Sequence, residues 1–414
     1  MIASPFDFDA PVDRRGTSSV KHDESHPSYP DADLLRLWVA DMDFRAPEAV
    51  TDALRARVDH GVFGYTDPSA ELASAAAAWI ESHNGWCPDP GTLVVGPGVV
   101  FFIAQAVRAL TQPGDAVLIQ PPVYYPFART VLANGRTLAE APLSYSPQLA
   151  RAGFEAAVAG EVSAESPYGF DPEAFEEAIV SSGARMFILC NPHNPVGRLW
   201  TSDELAVMAR ICARHNVFVV ADEIHADFSR PGFSHASFAV AAEREGCNYL
   251  VCTSVSKTFN MAGLQLACAW VPSQSARKAL EAEIEACGFF GVNPLSQAAA
   301  IACFTQGDPW LAELKAYLEQ TIAWVNGFVA VELPELCVVQ PQGTYLLWID
   351  CCDLGLTDEV LATLVGQDAG LWVDLGTMFG SQGSGFIRIN LATQRSVVQE
   401  AFCRLRDAVR AQRP

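Results

Sequence analysis

A lysine between two hydroxyl residues stands in Ser254-Val255-Ser256-Lys257-Thr258-Phe259-Asn260, directly after the apolar run Tyr249–Thr253. Such an amine is either a solvated surface charge or a nucleophile held in a pocket to form a Schiff base with an aldehyde. Only four of the 27 Lys+Arg residues are lysine (Lys21, Lys257, Lys278 and Lys315), so any step that needs an amine has four candidates. Hydroxyls such as Ser254 and Ser256 beside a reactive lysine can also hold a phosphate. Asp222-Glu223-Ile224-His225 ends another apolar run. Its carboxylates can cap a turn, bind a metal, or keep a heterocyclic nitrogen protonated. No second cluster with ligand spacing accompanies it, so no metal is expected. Asn191-Pro192-His193-Asn194-Pro195 reads as a turn or as an amide presented to a ligand oxygen. Gly96-Pro97-Gly98-Val99 leads into a helical pattern, where free backbone N–H groups form an anion site. Tyr124 lies in Pro121-Pro122-Val123-Tyr124-Tyr125 and is either core or a flat face for a planar ligand. Arg388 interrupts the apolar run Phe386–Leu391, so it must meet an acid within the protein or wait for a substrate carboxylate.

The elements that position these groups alternate. Apolar runs at 93–97, 116–120, 186–190, 217–222 and 249–254 have strand length, and amphipathic patterns lie between them, including 99–110. Helices are expected from Pro47 onward and near 69–83. Strands apolar on both faces, separated by helices, predict a parallel sheet covered on both sides. Nearly every residue named above lies just past the end of such a strand, where open α/β sheets bind ligands. The segment 146–169 breaks the rhythm and reads as a surface insertion with some helix. After about residue 290 the pattern changes to helices near 295–305 and 309–330, strands at 345–351 and 386–392, and a helix near 396–411. The expected division is an N-terminal segment 1–45 packed with the small domain, a large domain 46–290, and a small α+β domain 291–414.

Read in order, the anion loop, aromatic, Asn, Asp, Lys and late Arg resemble the fold-type I enzymes that use pyridoxal 5′-phosphate. The chain is most similar to the MalY/PatB-like cystathionine β-lyase (C–S lyase) branch of the class I/II aminotransferase family. Arg14-Arg15-Gly16-Thr17, Leu37-Trp38-Val39-Ala40-Asp41-Met42-Asp43-Phe44, His60-Gly61-Val62-Phe63-Gly64-Tyr65, Pro122–Phe127, Asp222–His225 and Ser256–Asn260 carry the resemblance. It implies an α/β fold with a large, mostly parallel sheet and a smaller α+β domain. It also implies roles: Lys257 as Schiff-base lysine and proton-transfer base, Asp222 against the pyridine nitrogen, Asn194 on the phenolic oxygen, and Tyr124 stacked on the ring within the catalytic set. Gly98, Val99, Ser254 and Ser256 would hold the phosphate, joined by Tyr65 from the partner subunit of a homodimer. Arg388 and Trp38 would meet the substrate. His225 falls in the cofactor set where many aminotransferases carry Tyr, and Gln265 stands where many carry a phosphate-binding Arg. Val20-Lys21-His22-Asp23 lies where the branch commonly shows Trp before Asp.

The implied reaction is β-elimination from L-cystathionine or another cysteine S-conjugate, giving thiol, pyruvate and ammonia. Transamination on the same scaffold and a cofactor-bearing regulatory role are the competing readings. Composition narrows the partners. Asp+Glu 48 against Lys+Arg 27 gives a net charge of −21, which repels nucleic acid and anionic membranes. No apolar run reaches the length of a membrane span. The start of the chain has no secretory pattern, and twelve Cys without a CxxC pair read as reduced thiols, so a cytoplasmic location is expected. His22, His26, His60, His83, His193, His215 and His235 are expected in loops or at the surface, Cys351 and Cys352 as core, and 409–414 as a frayed end.

Overall fold

The computed structural model describes residues 6–30 and 32–412. Residues 1–5, at the start of the expected 1–45 segment, together with Asp31, Arg413 and Pro414, lie outside the described residues. Of the expected frayed end, Val409–Ala411 continue the helix Arg395–Ala411.

The large sheet has seven strands: β1 (Leu93–Gly96), β2 (Ala116–Ile119), β3 (Thr137–Glu140), β4 (Met186–Cys190), β5 (Phe218–Asp222), β6 (Tyr249–Thr253) and β7 (Ala267–Trp270). Their order is β1-β7-β6-β5-β4-β2-β3. All neighbours run parallel except β7, which is antiparallel to both β1 and β6. Alternation along the strands explains their apolar character. Phe187 and Leu189 of β4 bury into one core cluster, while Met186 and Ile188 bury into the cluster on the opposite face. A strand with helices on both sides has no polar face to offer.

A second, antiparallel sheet comprises β8 (Cys337–Val339), β9 (Leu346–Asp350), β10 (Asp374–Leu375) and β11 (Phe386–Asn390), ordered β8-β9-β11-β10. In its register, Asp374 of β10 lies opposite Arg388 of β11. The segment 35–44 runs along this lobe. Leu35 and Arg36 pair in parallel with Leu371 and Trp372, and the Asn390 side chain donates to the carbonyls of Val39 and Asp41. Asn260, three residues past Lys257, accepts from the Met42 N–H and donates to its carbonyl. Leu37–Phe44 therefore forms a strap tied to the small sheet at one side and to the lysine turn at the other.

The segment 146–169 carries the helix expected of it, but it is tied into the second sheet rather than set apart as an insertion. Ser146 caps the helix Pro147–Val158, whose Ala150 and Phe154 are buried. Tyr145 and Tyr168 pair across a short two-stranded ladder. The Tyr145 hydroxyl donates to Asp350, and Trp348 Nε1 donates to the Tyr168 hydroxyl. Small and polar residues dominate this stretch in number, but two of its large apolar side chains, Phe154 and Tyr168, are buried.

Candidate active site

Because β1, β2, β4, β5 and β6 run parallel, their carboxyl ends share one edge. Ala40, Val99, Val100, Tyr124, Cys190, Asn194, Asp222, Ile224, His225 and Lys257 line a single pocket there. Residues from six separate stretches of sequence thus meet at one place.

The helix Val99–Leu110 starts right after β1, with Gly98 as its N-cap and no side-chain cap. Its first-turn N–H groups therefore face outward unbonded by a cap, as an anion site requires. Gly96 is dictated by packing: a Cβ there would lie 2.8 Å from Phe102 of that helix.

Lys257 sits on the short turn Val255–Thr258, entered through Ser254. Its Nζ donates to the Ala40 carbonyl at 2.6 Å. Burial pushes its pKa down to about 8, against the opposing pull of Asp41 and Asp222. Asp222 closes β5 and accepts from the Ile224 N–H at 3.1 Å. Burial pushes its pKa up to about 7, with that hydrogen bond and Lys257 resisting. Burial beside the cations Lys257 and Arg388 holds His225 well below the ordinary imidazole value. His225 Nδ1 is buried without a hydrogen-bond partner among the described residues. Burial also raises the Tyr124 hydroxyl.

Arg388 stands beside this pocket, almost wholly buried. Nη1 donates to Asn194 Oδ1 at 3.0 Å, and Nη2 donates to the Trp38 carbonyl at 2.8 Å and to Asp374. The bond through Oδ1 leaves the Asn194 NH₂ for another acceptor. Burial raises the Asp374 pKa, and Arg388 pulls it back. Sequence reasoning missed Asp374, although a lone acid in the apolar stretch Leu371–Leu375 is the counterpart of a lone Arg in Phe386–Leu391.

The serines are less free than their sequence suggests. Ser254 Oγ accepts from the Ser256 N–H, and its one proton serves either the Leu266 carbonyl at 2.6 Å or Ser256 Oγ at 2.9 Å. The Trp38 ring stacks on Trp372 with centroids 4.5 Å apart. Tyr65 does not enter this pocket within its own chain; it is fully exposed, near exposed Val62 and Phe63.

A polar cluster anchors the strap over Lys257. Asp43 receives Lys21 at 2.7 Å, His22 at 2.9 Å and Arg14 at 2.8 Å, and Arg14 also reaches Asp41 at 2.6 Å. Lys21 is completely buried, so one of the four lysines is structural. Two histidines expected in loops or at the surface lie in loops but are buried. His193 Nε2 meets the Pro122 carbonyl at 3.0 Å, and burial pushes its pKa down to about 4. His235 Nε2 meets Glu223 at 3.1 Å, so Glu223 is an internal anchor. Cys351 is buried as expected, but Cys352 is exposed because it begins the turn after β9.

The profile of the family described as Aminotransferase class I and II matches residues 32–405. The chain belongs to that family. It is 36% identical to Cystathionine beta-lyase PatB of Bacillus subtilis, over 97% of this chain and 99% of that one. It is 31% identical to Protein MalY of Escherichia coli, over 99% and 100%. Among solved structures, cystalysin from Treponema denticola, which contains a pyridoxal 5′-phosphate cofactor, superposes with a TM-score of 0.91 at 29% identity, over 98% and 99%. The large mixed sheet with helices on both faces and the smaller antiparallel sheet match the expected α/β, fold-type I architecture.

Proposed function

We propose that this protein is a pyridoxal 5′-phosphate-dependent carbon–sulfur lyase acting on L-cystathionine or related cysteine S-conjugates. The observation that carries the reading is the meeting of Lys257, Asp222, Asn194, His225 and Tyr124 in one buried pocket. The residues suit the cofactor. The free Nδ1 of His225 and the spare Asn194 NH₂ offer polar contacts to a ring oxygen, and Asp222 is an acid available to a ring nitrogen. Gly98, Val99 and Ser256 would hold the phosphate, with Ser254 fixing Ser256. Gln265 in place of an Arg leaves that phosphate with fewer charges. Tyr124 would cover the ring face.

When bound, the cofactor supplies an electron sink for the pair left at the substrate Cα. The protein supplies the rest. Arg388 orients the α-carboxylate, and Asn194 keeps the guanidinium in place. Lys257, with its pKa near 8, takes the Cα proton without needing strong alkali. Asp222 holds negative charge opposite that amine. The Cβ–S bond then breaks, the thiolate takes up a proton and leaves as thiol, and one water hydrolyses the released aminoacrylate to pyruvate and ammonia. Leu37–Phe44 closes the pocket over Lys257 through Ala40.

The same reading makes the enzyme a homodimer in which Tyr65 crosses to the partner's phosphate site. Full exposure of Tyr65 beside Val62 and Phe63, with Phe290 also exposed, supports this. It retains the division 1–45, 46–290 and 291–414. Twelve free cysteines, most of them buried, fit a reducing compartment such as the cytoplasm. Among the described residues, no helix is long and apolar enough to cross a membrane.

Incubation with L-cystathionine tests the proposal. Pyruvate and homocysteine should appear in equal amounts without any added 2-oxo acid, and Lys257→Ala should abolish both. Product formation that requires a 2-oxo acid would identify an aminotransferase instead.

A further inference from the structure

We propose that a second chamber, beside Arg388, receives the leaving-group arm of the substrate and selects a planar aromatic or heteroaromatic thiol over a carboxylate-bearing one. The inference rests on the lyase reading and names the substrate class for it.

The chamber has a volume of about 350 Å³, within the range of small-ligand sites. It adjoins the site: Met378 lines both the chamber and a neighbouring cleft, and Tyr124 lines both that cleft and the active-site pocket. Trp38 and Asp374 both line the chamber, and both bind the Arg388 guanidinium, Trp38 through its carbonyl. The remaining arm of a substrate clamped by Arg388 would extend along this line toward the chamber walls.

The walls are aromatic. The Trp38 and Trp372 rings are parallel within 1°. The edge of His26 packs on Trp372 at 4.8 Å, and His26 stacks on Tyr29 at 5.0 Å. Tyr29 is held in place by Gly366, where any Cβ would strike its ring. Offset and edge contacts from several rings recognise a flat π-system. Trp38 Nε1 is buried without a partner among the described residues, which leaves one donor for a ring heteroatom.

The charges exclude an acid. Glu24 and Asp374 are the formal charges that line the chamber, and no Lys or Arg does so among the described residues. Burial and the neighbouring Arg36 hold the His26 pKa below its ordinary value, which disfavours its cationic form. Arg36 itself lies over the Trp372 ring at 5.1 Å and donates to the carbonyls of Lys21 and Glu24. The distal carboxylate of cystathionine would be desolvated here beside Glu24 and the Arg388-paired Asp374, with no Lys or Arg among the described lining residues to meet it.

The test compares pyruvate release by the cofactor-loaded enzyme from S-benzyl-L-cysteine, L-cystathionine and S-methyl-L-cysteine. Both longer substrates release alkyl thiols, so leaving-group chemistry does not bias them. The kcat/KM for S-benzyl-L-cysteine should exceed that for cystathionine by about tenfold or more. Trp372→Ala should lower the benzyl value by about tenfold while S-methyl-L-cysteine, too short to enter, stays within about twofold. Trp372→Phe, which keeps a ring and the packing, should retain most of the benzyl value. A preference for cystathionine, or an equal loss on all three substrates in Trp372→Ala, would overturn the chamber and leave the lyase reading standing. Pyruvate from none of the three would overturn both.

Discussion

Replacing Arg388 by Met separates what the guanidinium does for the fold from what it does for the substrate. The Arg388 and Asp374 side chains are 3% and 2% exposed, so neither charge has water to fall back on. Deleting one member of such a pair costs about 3–5 kcal/mol, because the other is left buried and unpaired. Asp374 then answers by keeping its proton. Burial already raises its pKa, and Arg388 is what restrains that rise. In Arg388→Met the folded chain holds this proton while the unfolded chain releases it above pH about 4. The unfolded state then binds fewer protons, so the variant's stability falls as pH rises, by up to about 1.4 kcal/mol per unit. Denaturant midpoints of the cofactor-free protein should therefore show a deficit that is large at pH 7.5 and smaller at pH 5.5. Adding Asp374→Asn should remove both the pH dependence and most of the deficit. It should not restore kcat/KM, which should fall about 10²–10⁴-fold if, as proposed, Arg388 gives the substrate carboxylate two charge-assisted hydrogen bonds. An Arg388→Met variant as stable as the parent at pH 7.5, or a double variant with recovered turnover, would refute this reasoning.

Two further outcomes follow from the same geometry. When cofactor is added to cofactor-free protein, the rate at which visible absorbance grows should rise with pH, pass half its maximum near pH 8, where half of Lys257 has lost its proton, and level off above about pH 9; a rate with its half-maximum near pH 10 would place an ordinary lysine there. Gly96→Ala should cost about 1–3 kcal/mol, since its Cβ would press on Phe102, and should weaken pyridoxal 5′-phosphate binding by shifting the first turn of the helix Val99–Leu110. Calorimetry and cofactor titration of this variant check the two parts separately.

Much of this arrangement was readable in the sequence because it depends on local patterns. Strands apolar on both faces, each followed by a turn carrying Tyr124, Asn194, Asp222 or Lys257, announce a parallel sheet with its site at one edge. What failed depends on partners distant in sequence. Ala267–Trp270 is too short an apolar stretch to be marked as a strand in the sequence, and nothing in it says that β7 runs against its neighbours. The stretch 146–169 was misjudged because average composition outweighed Phe154 and Tyr168, its two large buried side chains. His193 and His235 sit in turn-like sequence, yet the turns fold inward onto the Pro122 carbonyl and Glu223. Lys21 looks like an ordinary solvated charge until the strap brings Asp41 and Asp43 against it. Asp374 is the instructive omission: a buried Arg predicts a buried acid, and only register identified which one.

The central claim is that one amine of four carries the cofactor, and reductive trapping addresses it directly. Borohydride treatment of the pyridoxal 5′-phosphate-loaded protein, followed by proteolysis and mass spectrometry, should place a single cofactor adduct on the peptide that contains Lys257. An adduct on Lys21, Lys278 or Lys315, or no adduct at all, would contradict the account.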